Sequence, residues 1–423
     1  KLSQADEIQV NINDGDERNI RFADNRITTA GSTNDLAVRI SSAFGKRAAV
    51  TSTNDISDAG LEKAVRLSET LARLAPENPE RMPVLGPQTY RDVSSYFPAT
   101  ANATAETRAA AAGVALSAAR GAGDLQAAGL LVSDSGMSAL GNNKGLFAYR
   151  ARTSVDFSET VRTTDGTGSG WAGANHPDIT KIDFKQVSDR AIAKARLSRN
   201  PTAIEPGQYT VILEPQAAGD LVSLMANAFD SRSAEEGRSA FAKRGGGTRV
   251  GEKIVDERVT IISDPADPQL LGSPFDGEGM PVDRQVWVEN GVLKNLYSSR
   301  FWAQKQGRAP TGNANSIKML GTDQTLEQII ASTERGVLVT RFWYIRPVNA
   351  RTLLYTGLTR DGTFLVENGK ISRSVRNMRF NESPLFMLGK LDAIGQPVRI
   401  SDGLVMPALR VRDFTFSSLS DAV

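Results

Sequence analysis

Val288-Glu289-Asn290-Gly291-Val292-Leu293-Lys294 and Val366-Glu367-Asn368-Gly369-Lys370-Ile371 share one pattern, Asn-Gly set between apolar-alternating arms. Both central residues of a two-residue hairpin turn take positive φ, which Asn and Gly tolerate best, so each stretch predicts a β-hairpin. Strand-like runs surround them: Tyr209 to Leu213, Val259 to Ile262, Val286 to Val288, Leu353 to Tyr355, Phe364 to Val366 and Leu409 to Phe416. Two helices interrupt the series. One carries Leu221, Leu224, Met225, Ala228 and Phe229 on one face at helical spacing, and the other carries Leu326, Ile329 and Ile330. The second half is therefore expected to be β-rich, largely antiparallel and barrel-like, and the two hairpin copies suggest internal similarity.

The first half mixes element types. Ile8, Val10 and Ile12 alternate with polar residues as in a strand, and Leu36 to Ile40 and Ala48 to Thr51 follow as strands around a turn at Gly45-Lys46. A helix through Leu61, Ala64, Val65, Leu71 and Leu74 is expected to be capped by Asp58 and stopped by Pro76 and Pro79. Ala105 to Ala119 predicts a second helix, and Leu130 to Ser133 and Phe147 to Phe157 predict two strands. Gly166 to Gly173 reads as a glycine loop. Asp183, with Gln186 three residues on, opens a third helix through Val187, Ala191 and Ala195. Turn-formers cluster at Ser198-Arg199-Asn200-Pro201 and Pro206-Gly207. The expected architecture is α+β: a mixed α/β N-terminal domain over 1–205 and a β-rich C-terminal domain over 206–423. A chain of 423 residues exceeds what one core sustains.

Composition removes several function classes. At 40% hydrophobic and 23% charged the chain is globular, and 50 Lys+Arg against 48 Asp+Glu give a net charge of only +2. Without a basic run, no nucleic-acid partner is expected. No run approaches the ~20 apolar residues of a membrane span, so no membrane role is expected. Localisation is expected to be cytoplasmic by default, with export after removal of a signal segment left open. There are no cysteines, so disulfides, Cys-ligated metals and thiol nucleophiles are unavailable. The single histidine, His176, sits before Pro177 and reads as a loop residue. One histidine cannot supply the two or three His or Cys ligands that zinc usually needs.

Local motifs add little chemistry. Gly168-Ser169-Gly170-Trp171-Ala172-Gly173 matches a dinucleotide glycine pattern, but Asn175, His176 and Pro177 follow where a helix should open. Asp264, Asp267, Asp276 and Glu278 could hold a hard cation, yet interleaved Pro and Gly favour side-chain-to-backbone turn bonds. Arg341-Phe342-Trp343-Tyr344-Ile345-Arg346 alternates polar and aromatic residues on an expected strand. Its structural reading is a half-buried strand; its functional reading makes Arg341, Tyr344 and Arg346 peptide-binding candidates.

Gly272-Ser273-Pro274-Phe275-Asp276-Gly277-Glu278-Gly279, the Glu-Asn-Gly hairpin and Ala309-Pro310-Thr311-Gly312-Asn313 together resemble the TldD/PmbA family. Thr356-Gly357-Leu358-Thr359-Arg360-Asp361-Gly362-Thr363-Phe364, the second hairpin and Asn377-Met378-Arg379-Phe380-Asn381 look like its PmbA (TldE) branch. The likeness covers most of the chain and is strongest from Gly207 onward. It implies two related paired subunits, of which the TldD-type one is a zinc metallopeptidase acting on unfolded or leader peptides. In that subunit a helix carries His-Glu-x-x-x-His and a C-terminal cysteine completes the site. Here the matching helix reads Leu221-Val222-Ser223-Leu224-Met225-Ala226-Asn227-Ala228, so the ligand positions fall near Ser223 and Ala228. Neither is a zinc ligand. The resemblance therefore implies a metal-free TldE-like subunit with no catalytic residue and no cofactor of its own, zinc residing in a TldD-type partner. A stand-alone peptide-binding homodimer is the alternative, and an autonomous hydrolase built on Asp276 and Glu278 ranks behind both.

Overall fold

The computed structural model describes residues 2–420. Six strands form an antiparallel sheet in the order β3-β2-β1-β4-β5-β6. They are β1 (Glu7–Ala23), β2 (Arg26–Phe44), β3 (Arg47–Thr53), β4 (Leu125–Asn142), β5 (Phe147–Thr163) and β6 (Ser169–His176). Helices α1 (Asp58–Leu74), α2 (Pro98–Ala101), α3 (Ala105–Gly121) and α4 (Phe184–Leu197) belong to the same half. Side chains alternate between the two faces of a strand, so register decides what each face meets. On β1 the even positions Ile8, Val10 and Ile12 pack against α1, and Ile20 and Phe22 join the cluster under α3 and α4. The helices thus cover one face, and the opposite face is left for the second half of the chain.

Several strands run far beyond the alternating segments that announce them. β2 begins at Arg26 and pairs with β1 through Gly31, Ser32 and Asn34, an exposed stretch with no apolar face to alternate. α1 is capped by Ser57, whose hydroxyl accepts from the Gly60 N–H at 3.1 Å, and Asp58 is its first residue. Asp183 caps α4 as expected, accepting from the Gln186 N–H.

Of the expected glycine loop, residues 166–168 do form the turn between β5 and β6, but Ser169 to Gly173 are strand. In the strand part glycine serves close packing: a Cβ on Gly170 would collide with the Ala191 carbonyl oxygen of α4. His176 accordingly ends β6, where its Nδ1 accepts from the Asp178 N–H at 2.9 Å.

The second half builds an eleven-stranded sheet. Its strands are β7 (Gly207–Leu213), β8 (Ile261–Ser263), β9 (Gln285–Glu289), β10 (Val292–Leu293), β11 (Ile317–Met319), β12 (Arg335–Asn349), β13 (Leu354–Glu367), β14 (Lys370–Ser374), β15 (Met378–Glu382), β16 (Leu391–Ser401) and β17 (Leu404–Leu419). Among the pairings between its described strands, β11–β17 and β12–β7 are parallel and the others antiparallel. Because β7 pairs with both β12 and β17, the pairings β17-β15-β13-β12-β7 return to their start. Helices α5 (Pro215–Ala226), α6 (Ser231–Glu235), α7 (Arg300–Lys305), α8 (Leu326–Ala331) and α9 (Pro384–Gly389) complete this half. Val211 and Leu213 of β7 face the large core around α5, whereas Ile212 faces the cluster of Ile329, Phe364 and Val366. Burial on both faces explains why β7 ends in the unbroken apolar run Val211-Ile212-Leu213.

Both expected hairpins form. Asn290 and Gly291 have φ of 48° and 76°, and Asn368 and Gly369 have 52° and 75°. A Cβ on Gly291 would also lie 2.5 Å from the Val255 carbonyl oxygen. The α5 face is shorter than its sequence pattern: the helix stops at Ala226, and Ala228 and Phe229 lie in the turn that places Asp230 as the cap of α6.

The loop from Leu271 to Gly279 joins the halves. Phe275 enters a cluster with Leu140, Leu146 and Ala148 on the helix-free face of the first sheet, its ring 5.4 Å from that of Tyr90. The Gly279 carbonyl accepts from the Tyr90 hydroxyl at 2.7 Å, the Leu271 carbonyl from Arg150 at 2.9 Å, and the Gly277 carbonyl from Gln9 and Asn11. Phe275→Ala should therefore destabilise the protein by about 3 kcal/mol in urea unfolding. Phe147→Ala, at a 68% exposed position, should change stability by less than about 0.5 kcal/mol.

Candidate functional site

β12 supplies the peptide-binding candidates. Phe342 points into the core, and its N–H donates to Asp220 Oδ2 at 2.9 Å. At Tyr344 the backbone takes φ 55° and the pairing with β13 slips, so that Trp343 opposes Leu358 while Arg346 opposes Thr356. This bulge brings two successive aromatics to the surface, Trp343 at 44% and Tyr344 at 58% exposure, with ring centroids 5.4 Å apart. The Arg360 guanidinium lies 4.0 Å over Trp343 and that of Arg346 lies 4.4 Å over Tyr344. The result is a row of cation, two rings and cation.

Arg360 also borders a cavity of about 300 Å³ between the two sheets, with Arg162, Arg341, Asp361, Gln126 and Thr160 around it. Strand register explains how the first sheet contributes. Arg162 pairs with both Gln126 and Ser169, and Thr160 with Trp171, so these residues share the face turned away from α3 and α4. Ser169 Oγ donates to Asp361 Oδ1 at 2.6 Å, and Arg341 Nε donates to Asp361 Oδ2 at 2.9 Å. The Arg341 guanidinium lies 5.0 Å over Trp171. Asp361 is buried, with a φ of 53° that Asp tolerates better than most residues. Burial lowers the pKa of Arg360 below the ordinary arginine value; Asp361 opposes the shift, while Arg162 and Arg341 add to it.

The three candidates read from the sequence are thus divided. Tyr344 and Arg346 stack together on the surface, whereas Arg341 is committed to Asp361 and Trp171. Sequence reasoning missed Arg360, Asp361, Trp171 and Arg162, although Arg360-Asp361 lies inside a stretch quoted for the family resemblance. Ser223 sits in the last turn of α5 and Ala228 beyond the helix end. Among the described residues no three or more His, Asp and Glu gather closely enough to hold a metal ion.

The carboxylates of the Pro- and Gly-rich loops make turn bonds. Asp276 accepts from the Glu278 and Met280 N–H groups, Asp264 from Ala266 and Asp267 from Gln269. A larger cavity, about 700 Å³, lies between α1 and the first sheet, but its lining is apolar and holds no titratable group.

Three domain profiles of one family match consecutive parts of the chain: PmbA/TldA metallopeptidase domain 1 over 9–72, the central domain over 98–199 and the C-terminal domain over 206–418. The chain belongs to the PmbA/TldA metallopeptidase family. Among curated relatives, a metalloprotease of Methanothermobacter thermautotrophicus is 25% identical over 295 residues, covering 63% of this chain and 61% of the relative. A metalloprotease TldD homolog of Buchnera aphidicola is 24% identical over 248 residues, 54% of this chain and 50% of the relative. The chain therefore spans less than two thirds of these relatives' length. Among solved structures, TldE from Thermococcus kodakarensis superposes with a TM-score of 0.87 at 18% identity, covering 98% of this chain and 97% of that one. A Thermotoga maritima protein described as a candidate modulator of a DNA gyrase gives 0.87 at 19% identity, covering 97% and 96%. Identities this low establish a shared fold. No helix among the described residues is long and apolar enough to cross a membrane.

Asp220, beneath the site strand, yields a pH test. Burial pushes its carboxyl up to about 6, against the hydrogen bonds from the Phe342 N–H and Gln216. A carboxyl whose folded pKa exceeds its unfolded value binds more protons when folded, so its contribution to stability falls as pH rises from about 4 to about 6. In Asp220→Asn that decline should disappear. Urea unfolding at a series of pH values should show wild type losing stability relative to the variant across this window, by about 1 kcal/mol or more.

Proposed function

We propose that this chain is the non-catalytic, TldE-like member of a two-chain zinc metallopeptidase that degrades or processes unfolded or leader peptides. The observation that carries the reading is the donor set of α5. Where a TldD-type helix would present His-Glu-x-x-x-His, the chain presents Ser223 and, past the helix end, Ala228, and its sequence contains no cysteine. These residues do not fit zinc, nor do they include the glutamate that would deprotonate a metal-bound water. His176 offers no substitute, because it lies on β6 and its Nδ1 is taken by the Asp178 N–H. The chain's part is then to pair with a TldD-type subunit, through an interface of roughly 2,000 Å² or more if the pair is obligate, and to help enclose the peptide. The exposed Trp343–Tyr344 row, flanked by Arg360 and Arg346, is suited to contact an extended peptide.

Co-expression with a TldD-type chain tests this directly. The two should co-purify, zinc should be found only with the partner, and peptide hydrolysis should require the mixture. Stoichiometric zinc in this chain, or cleavage by it alone, would overturn the proposal. A chain that associates only with itself and binds peptide without cleaving it would instead support the homodimeric binding protein.

A further inference from the structure

β6 is the last strand of the first sheet and pairs only with β5 among the described strands. The Thr163 N–H donates to the Gly168 carbonyl at 3.0 Å, which makes these two a hydrogen-bonded pair. Alternation then turns the backbone groups of Gly170, Ala172 and Ala174 toward β5 and those of Ser169, Trp171, Gly173 and Asn175 toward the free edge. Ser169 is met there by the Ser198 hydroxyl, which accepts from its N–H and donates to its carbonyl. Further along, Lys194 donates to the Trp171 carbonyl at 3.2 Å, and Arg190 reaches the Gly173 carbonyl only at 3.4 Å. The N–H groups of Trp171, Gly173 and Asn175 donate to no described residue.

The same residues line a cavity of about 270 Å³, walled also by α4 and by residues 398–400 of β16. Its lining offers donors in excess. Lys181 and Arg190 are exposed and form no ion pair with a described residue. The lining carboxylates are engaged: Asp183 accepts from the Gln186 N–H as the cap of α4, and Glu214 accepts from Lys194 at 2.7 Å and from Thr340 at 3.2 Å. An unpaired strand edge is a template for a further strand. Its outward residues recur about every 7 Å, the repeat of alternate carbonyls along an extended peptide, which a single phosphate cannot match. Two unpaired cations beside that edge favour an acidic side chain on the added strand.

We infer that the free edge of β6 is a strand-addition site for an extended peptide segment with an acidic residue, its carbonyls accepting from the Trp171 and Gly173 N–H groups and its carboxylate facing Arg190 and Lys181. The inference rests on the peptide-handling part of the proposed function and is independent of pairing with a metallopeptidase chain.

The test uses the full chain alone and reads the fluorescence anisotropy of fluorescein-labelled pentapeptide amides at low salt, four alanines around a central glutamate or lysine, with unlabelled inorganic phosphate as a competitor. The Glu peptide should bind about tenfold tighter than the Lys peptide, since attraction to two cations replaces repulsion. Arg190→Glu, at an exposed position, should reverse that order. Gly173→Pro, which removes one edge donor, should weaken the Glu peptide about tenfold. Should this variant fail to fold, the peptide backbone decides the same point: of the two alternately N-methylated Glu peptides, one should lose binding and the other keep it, because every second amide of an added strand faces β6. Binding of neither peptide, equal binding of both, an order unchanged in Arg190→Glu, the same response of both methylated peptides, or displacement of the Glu peptide by stoichiometric phosphate would each overturn the site. Such a failure stays distinct from failure of the subunit reading, which co-purification and zinc content decide.

Discussion

The seating of the Leu271 to Gly279 loop on the open face of the first sheet is the contact on which the arrangement of the two halves depends. Three of its backbone carbonyls take donors from the N-terminal half, and Phe275 fills the apolar gap between Leu140, Leu146 and Ala148. Each hydrogen bond contributes only about 1 kcal/mol net, but together with the burial of Phe275 they specify one placement of the loop. Further along the same face, Arg399 donates to Asn175 at 2.6 Å, and at the edge of the sheet Lys194 of α4 donates to Glu214 at 2.7 Å. The arginine cavity exists because this placement brings β4, β5 and β6 opposite β12 and β13.

Asp361 illustrates what such a junction asks of a charged group. A buried carboxylate loses its hydration, and its ion pairs in a low-dielectric interior rarely return more than they offset. Its partners span both halves, Ser169 from β6 and Arg341 from β12, so removing either leaves a buried charge under-compensated. The residue thereby ties the two sheets together at this point. It also occupies Arg341, whereas the neighbouring Arg360 stays 3.7 Å from the same carboxylate and stacks on Trp343.

How much of this was legible in the sequence varies with the kind of signal. The hairpins at Asn290-Gly291 and Asn368-Gly369 and the cap at Asp183 could be read because local backbone chemistry alone determines them. The lengths of β2 and β4 could not, since their extensions are not buried as one alternating face. The glycines of β6 misled for a different reason: glycine serves equally for a turn and for a close approach, and only the position of α4 distinguishes the two. At the candidate site, alternation along 341–346 pointed to β12, the strand that carries the exposed Trp343–Tyr344 pair. The bulge at Tyr344 and the pairing that delivers Arg360 from β13 are tertiary facts with no local signature.

The same reasoning bears on what the family resemblance transmits. Its densest motif, Gly272 to Gly279, does structural work at every position where a contact is seen. Asp276 closes its own turn, Phe275 packs, Gly279 has φ 82° with a would-be Cβ 3.0 Å from Leu146, and the carbonyls of Gly277 and Gly279 accept from the first sheet. A motif of this kind carries the architecture from one chain to another whether or not either is catalytic. Evidence for chemistry must come from a place where architecture does not dictate the residue. On α5 the buried side chains Leu221, Val222 and Met225 are set by packing, but Ser223 lies partly exposed, where a ligating side chain could be accommodated and is not supplied. The fold is that of a metallopeptidase family, and the residue at that position is where the proposed division between a site-shaping and a hydrolysing subunit would be decided.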